Sequence, residues 1–224
     1  MSVTIAISQN PPVTVPARAT ASLASFREWA GKNELPANAK LCYYQGEVFV
    51  EMGKEQVFFH VAVKTEISRV LANIIKEQKG GMFFNDGLLL TNEKADLSNN
   101  PDAAYISNDA IKSKRIELVE GKEGGDVELL GSADMVLEVV SDSSEKKDNQ
   151  TLFEAYYEAG VSEYWLVDAR GPEIEFHIYK RGAKKFVATK KLDGWVKSAC
   201  FGKSFRLALG TNEIGKPDYT LEVR

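Results

Sequence analysis

The 224-residue chain is 44% hydrophobic and 10% aromatic, enough for one sizeable core. Its 28 basic and 32 acidic residues leave a formal net charge of −4. That balance excludes a surface that attracts nucleic acid everywhere, so a polyanion would be held by a local patch or through metal ions.

There is no apolar leader and no run of about 18 apolar residues, which argues against a membrane role and makes the cytoplasm the expected location. Cys42 and Cys200 lie far apart in strand-like segments and make neither a metal-ligand pattern nor a disulfide framework.

Residues 1–20 mix Ser, Thr, Val and Pro without helical period and read as a flexible or edge-hugging tail, ahead of a single domain over 21–224. Leu23, Phe26 and Ala30 are spaced for a short amphipathic helix. Lys40–Met52 alternates as a hairpin turning at Gln45-Gly46. From His60 to Lys79, Val63, Ile67, Val70, Leu71 and Ile74 repeat at the helical period, with Gly80-Gly81 as the stop.

Met82–Phe84 and Leu88–Thr91 read as short strands, Asn92–Asn100 as a polar loop, and Asn100–Ile106 as a strand. Ile116–Leu130 reads as a hairpin with Gly121–Gly125 at its tip. Met135–Val140 is an apolar run of a strand buried on both faces. Asp142–Ala159 reads as a helix closed by Gly160 and followed by the strand Glu163–Asp168. One crossover helix implies that those two strands are parallel. Glu173–Arg224 is strand-rich. The expected class is α+β, a mixed sheet flanked by helices with an extra N-terminal hairpin and C-terminal strands.

The most informative charge is Glu138, in the middle of the buried strand. A carboxylate there must be paired, protonated or bound to a metal. Asp102 sits on another apolar strand, and neighbouring strands lie about 4.8 Å apart. One divalent cation bridging Asp102 and Glu138, with the Val139 carbonyl as third ligand, suits Mg²⁺ or Mn²⁺. The bland alternative makes Asp102 a turn residue and pairs Glu138 with a buried base.

Asp134 shares the Glu138 strand face and either extends the acidic site or accepts hydrogen bonds where the strand begins. Asp142 with Glu145 resembles a capping box, which places Lys146 and Lys147 in the first turns of the helix. Cations there oppose the helix dipole, a misfit that a nearby phosphate would relieve, although both lysines read equally well as solvated.

His60 is a cap, a core contact or a ligand; Glu66 either reaches the site or faces solvent. The basic run Lys180–Lys185 with Lys190-Lys191 touches a phosphate backbone or keeps a sheet edge soluble. Gly-x-Ser-x-Gly, phosphate-cradling glycine loops and Cys/His clusters are absent.

Pro101-Asp102, then Asp134-x-x-x-Glu138-Val139-x-Ser141, then Tyr156-x-x-Ala159-Gly160-Val161-x-Glu163-Tyr164-Trp165-Leu166-Val167-Asp168, resembles the Uma-two family of restriction endonucleases. That family belongs to the restriction-endonuclease-like nucleases with the PD-(D/E)xK signature. The resemblance implies an α-β-β-β-α-β core, Mg²⁺ (or Mn²⁺) held by Asp102 and Glu138, and a lysine that positions the attacking water.

Val140 stands at the strand-lysine position and Leu152 at the helix position that family members use instead. Lys147, or Lys146, is the nearby substitute. The implied reaction is metal-dependent hydrolysis of nucleic-acid phosphodiester bonds, with DNA the expected substrate and a homodimer the expected assembly. The alternative is a catalytically inactive nuclease-like domain that binds DNA or a protein partner.

Overall fold

The computed structural model describes residues 4–7, 13–31, 35–36, 39–52, 54–121 and 124–224. Its first half holds β1 (Thr4–Ile7), α1 (Leu23–Ala30), β2 (Lys40–Tyr44), β3 (Glu47–Glu51), α2 (Val63–Gln78), β4 (Gly81–Asn85), β5 (Leu89–Asn92), β6 (Leu97–Asn99), β7 (Ala103–Ser107) and α3 (Asn108–Lys112). The second half holds β8 (Ile116–Glu120), β9 (Asp126–Gly131), β10 (Met135–Val139), α4 (Leu152–Glu158), β11 (Glu163–Asp168) and β12 (Glu175–Arg181). Five further strands follow: β13 (Phe186–Ala188), β14 (Lys191–Leu192), β15 (Trp195–Lys197), β16 (Ser204–Thr211) and β17 (Pro217–Val223).

A six-stranded mixed sheet, in the order β13-β12-β11-β10-β7-β4, is the centre of the molecule. β10 and β11 are parallel, as the single crossover helix requires, and β10 runs antiparallel to β7. The N-terminal hairpin joins a seven-stranded sheet, β1-β3-β2-β6-β5-β9-β8, and the C-terminal strands form a four-stranded sheet.

The apolar run of β10 explains its central place. Met135, Leu137 and Val139 pack with α2 and the C-terminal sheet, while Val136 and Val140 pack with α4 and the seven-stranded sheet. Glu138 therefore points to the α4 side, between two sheets. No helix among the described residues is long and apolar enough to cross a membrane.

Of the tail's two readings the edge-hugging one holds for Thr4–Ile7, which lie along β3 as an edge strand, and Ala19 is buried. Other expectations need correction. The polar stretch 92–100 contains the buried β6, bonded to both β2 and β5. Its polar side chains find cross-strand partners, as in the 2.8 Å Thr91–Ser98 hydroxyl bond, so a hydrophilic segment can be buried. α3 was not anticipated; the Ser107 hydroxyl caps it by accepting from the Ala110 N–H.

The helix expected from Asp142 is present from Glu145, turns π-helical over Lys147–Thr151 and continues as α4. Asp142 and Glu145 form no capping box. The turn is closed by Ser141 and Ser144, and both acids bind Arg170 instead.

At the end of α2 it is Lys79, at φ 51°, that turns left-handed. Gly81 is needed for another reason: a Cβ there would lie 2.1 Å from the Ile106 carbonyl oxygen. The expected Gly121–Gly125 tip falls partly outside the described residues.

A second buried acid joins the C-terminal sheet to the centre. Glu163, at the start of β11, accepts from the Ser198 hydroxyl at 2.6 Å, the Trp165 indole at 3.1 Å and the Cys200 N–H at 3.2 Å. Replacing Glu163 with Ala leaves these donors unpaired in the interior. Glu163→Ala should lower unfolding free energy by about 2–3 kcal/mol in urea titrations followed by Trp fluorescence.

Candidate active site

The chain crosses from the seven-stranded to the central sheet at Asn100-Pro101-Asp102, between β6 and β7. Asn100 pins the crossing: its N–H donates to the Leu41 carbonyl and its amide to the Leu88 carbonyl. Register continues from Leu137 opposite Ala103, which sets Asp102 across from Glu138. The Asp102 N–H points to Glu138 Oε2 at 3.4 Å, and the Val139 N–H donates to Asp102 Oδ2 at 2.8 Å. Both acids are buried, and the juxtaposition inferred from the two apolar strands is present.

Their surroundings differ sharply. Around Asp102, Lys40 reaches Oδ1 at 2.5 Å, Lys64 reaches it at 3.5 Å, and the His60 ring lies 3.4 Å from Oδ2. Glu55 and Asp86 close the cluster, each bound by both lysines. Burial alone would lower the His60 pKa, but hydrogen bonds to Asp102 and Glu55 outweigh it and raise the ring to about 9. Burial likewise opposes ionisation of Asp102, yet the His60 hydrogen bond and the lysine charges hold it well below the usual carboxylate range. At neutral pH three carboxylates meet three cations, and the cluster is balanced.

Around Glu138 the partners are neutral. Tyr156 donates to Oε1 at 2.6 Å and Asn99 donates to the same oxygen at 3.0 Å. Burial, then the charges of Asp148 and Asp102, push the Glu138 carboxyl well up. Asp148 is raised to about 7, chiefly by burial, and its Oδ1 has no hydrogen-bond partner among the described residues. Lys147 is turned inward from the π-helical turn and pairs with Glu51, with Asp148 Oδ1 at 3.6 Å. Glu138, Asp148 and Glu51 thus share one lysine, and this side is short of positive charge.

The other candidates are placed as follows. Asp134 binds Arg115 and accepts from the Ser107 N–H at 2.6 Å, the hydrogen-bonding role at the start of the strand. Glu66 accepts from the Leu221 N–H and pairs with Arg69, tying α2 to the C-terminal sheet. Lys146 is exposed. The basic run 180–185 is exposed at the β12–β13 turn, two strands from β10, apart from the buried Phe186 that follows it. Cys42 and Cys200 are free, and burial pushes the Cys42 thiol up to about 12, which leaves it unreactive.

With this geometry established, the likeness to known proteins can be placed on it. Residues 23–210 match Uma2, described as "Putative restriction endonuclease". The chain belongs to the Uma2 family. A crystal structure titled a "putative nuclease belonging to DUF820", from Anabaena variabilis ATCC 29413, aligns with a TM-score of 0.59 at 18% identity. The alignment covers 81% of this chain and 90% of that one, and establishes a shared fold. No curated protein matches the chain.

In this Uma2 protein, sequence reasoning missed Lys40, Lys64, Glu55, Asp86, Asn99 and Asp148. The last had a usable signal, an acid one residue from a candidate lysine at the start of a helix. The others come from distant segments and carry none.

The charge deficit near Glu138 has a pH signature in metal-free buffer. Between pH about 4, where Asp148 ionises in the unfolded chain, and about 7, where it ionises in the fold, the folded state holds the extra proton. Stability therefore falls as pH rises through that window. Asp148→Asn should be more stable than wild type at pH 8, on the order of 2 kcal/mol, with the gap closing towards pH 4, as read by urea unfolding with chelator present.

Proposed function

We propose that this Uma2 protein is an endonuclease that hydrolyses nucleic-acid phosphodiester bonds with a divalent cation, DNA being the expected substrate. The observation that carries this reading is a pair of buried carboxylates on adjacent strands, one of which, Glu138, lacks the positive partners that would keep it ionised. The donor set fits a hard divalent cation. The Glu138 side holds three carboxylates against one lysine, and the buried Asp148 Oδ1 has no hydrogen-bond partner among the described residues.

Asp102, Glu138 and the Val139 carbonyl would hold Mg²⁺ or Mn²⁺. The carbonyl and N–H of a strand residue face the same edge, and the Val139 N–H already faces Asp102. Bound there, the cation supplies Lewis acidity, offsetting charge on the phosphate and lowering the pKa of the attacking water.

The chain's own residues prepare the site. Tyr156 and Asn99 occupy Oε1 of Glu138 and leave Oε2 turned towards Asp102. The Val139 N–H fixes Asp102 Oδ2, so neither acid has to reorganise. Lys147, locked against Glu51, tempers the negative field that substrate meets. Lys146, exposed at the start of the same turn, is free to meet a neighbouring phosphate. Cutting both strands of a duplex calls for two such sites, which a homodimer would supply.

One observation favours the second reading, a domain that binds DNA or a protein without cutting. Leu152, where family members carry a lysine, is fully buried in the apolar cluster beneath α4. A cleavage assay on plasmid and oligonucleotides with Mg²⁺, Mn²⁺ or chelator separates the two. Cation-dependent cleavage is expected, reduced about 10²–10³-fold or more by Asp102→Asn and by Glu138→Gln in folded variants. Cleavage that survives either substitution, or that persists in chelator, refutes the reading.

A further inference from the structure

Lys40 holds the Oδ1 oxygen of Asp102, the candidate cation ligand. Its ammonium lies 2.5 Å from Asp102 Oδ1, 3.0 Å from Glu55 and 3.5 Å from Asp86. The other oxygen of Asp102 is held by the Val139 N–H, so Oδ1 is the one free to change partner. An ammonium and a divalent ion on one carboxylate repel each other and compete for the same lone pairs.

Lys64 is differently placed. Its side chain is 8% exposed against 24% for Lys40, and it binds Glu55 at 2.9 Å and Asp86 at 3.0 Å more closely than Asp102 at 3.5 Å. Lys40 is thus the partner of Asp102 with the more open path to solvent.

We propose that Lys40 is a resident counter-ion that a divalent cation displaces from Asp102, and that the released ammonium then binds a phosphodiester of the nucleic acid. The proposal rests on the endonuclease reading of the acid pair. Charge identifies the second ligand. The cluster of Asp102, Glu55 and Asp86 with Lys40, Lys64 and His60 is already balanced. A divalent ion on Asp102 takes the closest carboxylate of Lys40, and a phosphodiester oxygen offers the ammonium an anionic acceptor in its place. Lysine suits the exchange, being a compact charge on a flexible stem that binds phosphate without fixed geometry. Metal loading and nucleic-acid binding are then linked through one side chain.

The test begins with Mn²⁺ binding measured by calorimetry without nucleic acid, on wild type, Lys40→Met, Lys40→Gln and Lys40→Arg, each checked for folding by circular dichroism. Lys40→Met and Lys40→Gln should bind Mn²⁺ about tenfold more tightly than wild type, the loss of one competing charge-assisted contact. Lys40→Arg should stay close to wild type.

The second measurement is binding of a labelled duplex oligonucleotide by anisotropy, with Ca²⁺ and with chelator. In wild type Ca²⁺ should strengthen binding; in the neutral variants most of that gain should be lost and the salt slope reduced by about one. Saturable Mn²⁺ binding by wild type with unchanged or weaker binding in both neutral variants overturns the Lys40 proposal and leaves the acid pair standing. Unchanged oligonucleotide binding in those variants also overturns it. Failure of all four proteins to bind Mn²⁺ overturns the metal site and the proposal together. Binding by the neutral variants alone overturns the Lys40 proposal too, because the cation then fails to displace Lys40 in wild type.

Discussion

Two carboxylates buried face to face are the constraint around which this structure is arranged. Taking like charges out of water costs several kcal/mol per ion unless partners repay it. Asp102 and Glu138 meet that cost in different ways. Asp102 draws three cations from β2, the turn before α2 and α2 itself. Glu138 has only neutral donors and a lysine that is already engaged. The asymmetry puts a charge deficit on one side of a shared position and a balanced cluster on the other. Under the proposed function, a small, highly charged cation would offset that deficit.

The architecture makes the meeting possible. Asp102 lies where the chain leaves one sheet for another, so its neighbours come from both. Asn99 arrives from the seven-stranded sheet, Tyr156 from α4, and Glu138 from the middle of the central sheet. Tyr156 is itself fully buried beside Tyr164, at a ring separation of 5.3 Å. Its hydroxyl can therefore be aimed by packing. Three elements with separate apolar anchors converge on one carboxylate, which limits how far any of them can drift.

Val140 and Leu152, at the positions where the resemblance places a lysine, are both buried among apolar side chains. Positive charge near the acids instead comes from β2, α2 and the π-helical turn before α4. A π-helical turn lets Lys147 point inward without breaking the helix that follows. Of these three lysines, Lys40 is the most exposed, and Lys64 and Lys147 are buried alike.

Much of the frame was legible in the sequence because it rests on local period. The apolar run of Met135–Val140, the helical stripe of α2, the hairpin at Gln45-Gly46 and the parallel pairing of β10 with β11 all follow from patterns within about 35 residues. A charge inside an apolar strand is a local anomaly too, so Glu138 was visible, and a second acid on another apolar strand made Asp102 its natural partner. β6 was not legible, since polar side chains that find partners across strands look like a loop until those partners are known. Lys40 stands 62 residues from Asp102, Lys64 38, and Asn99 39 from Glu138. Sequence by itself determined that a buried acid needed a partner. Only the tertiary structure decided which charges were near enough to answer it, because Coulomb energy depends on distance in space and long-range packing sets that distance.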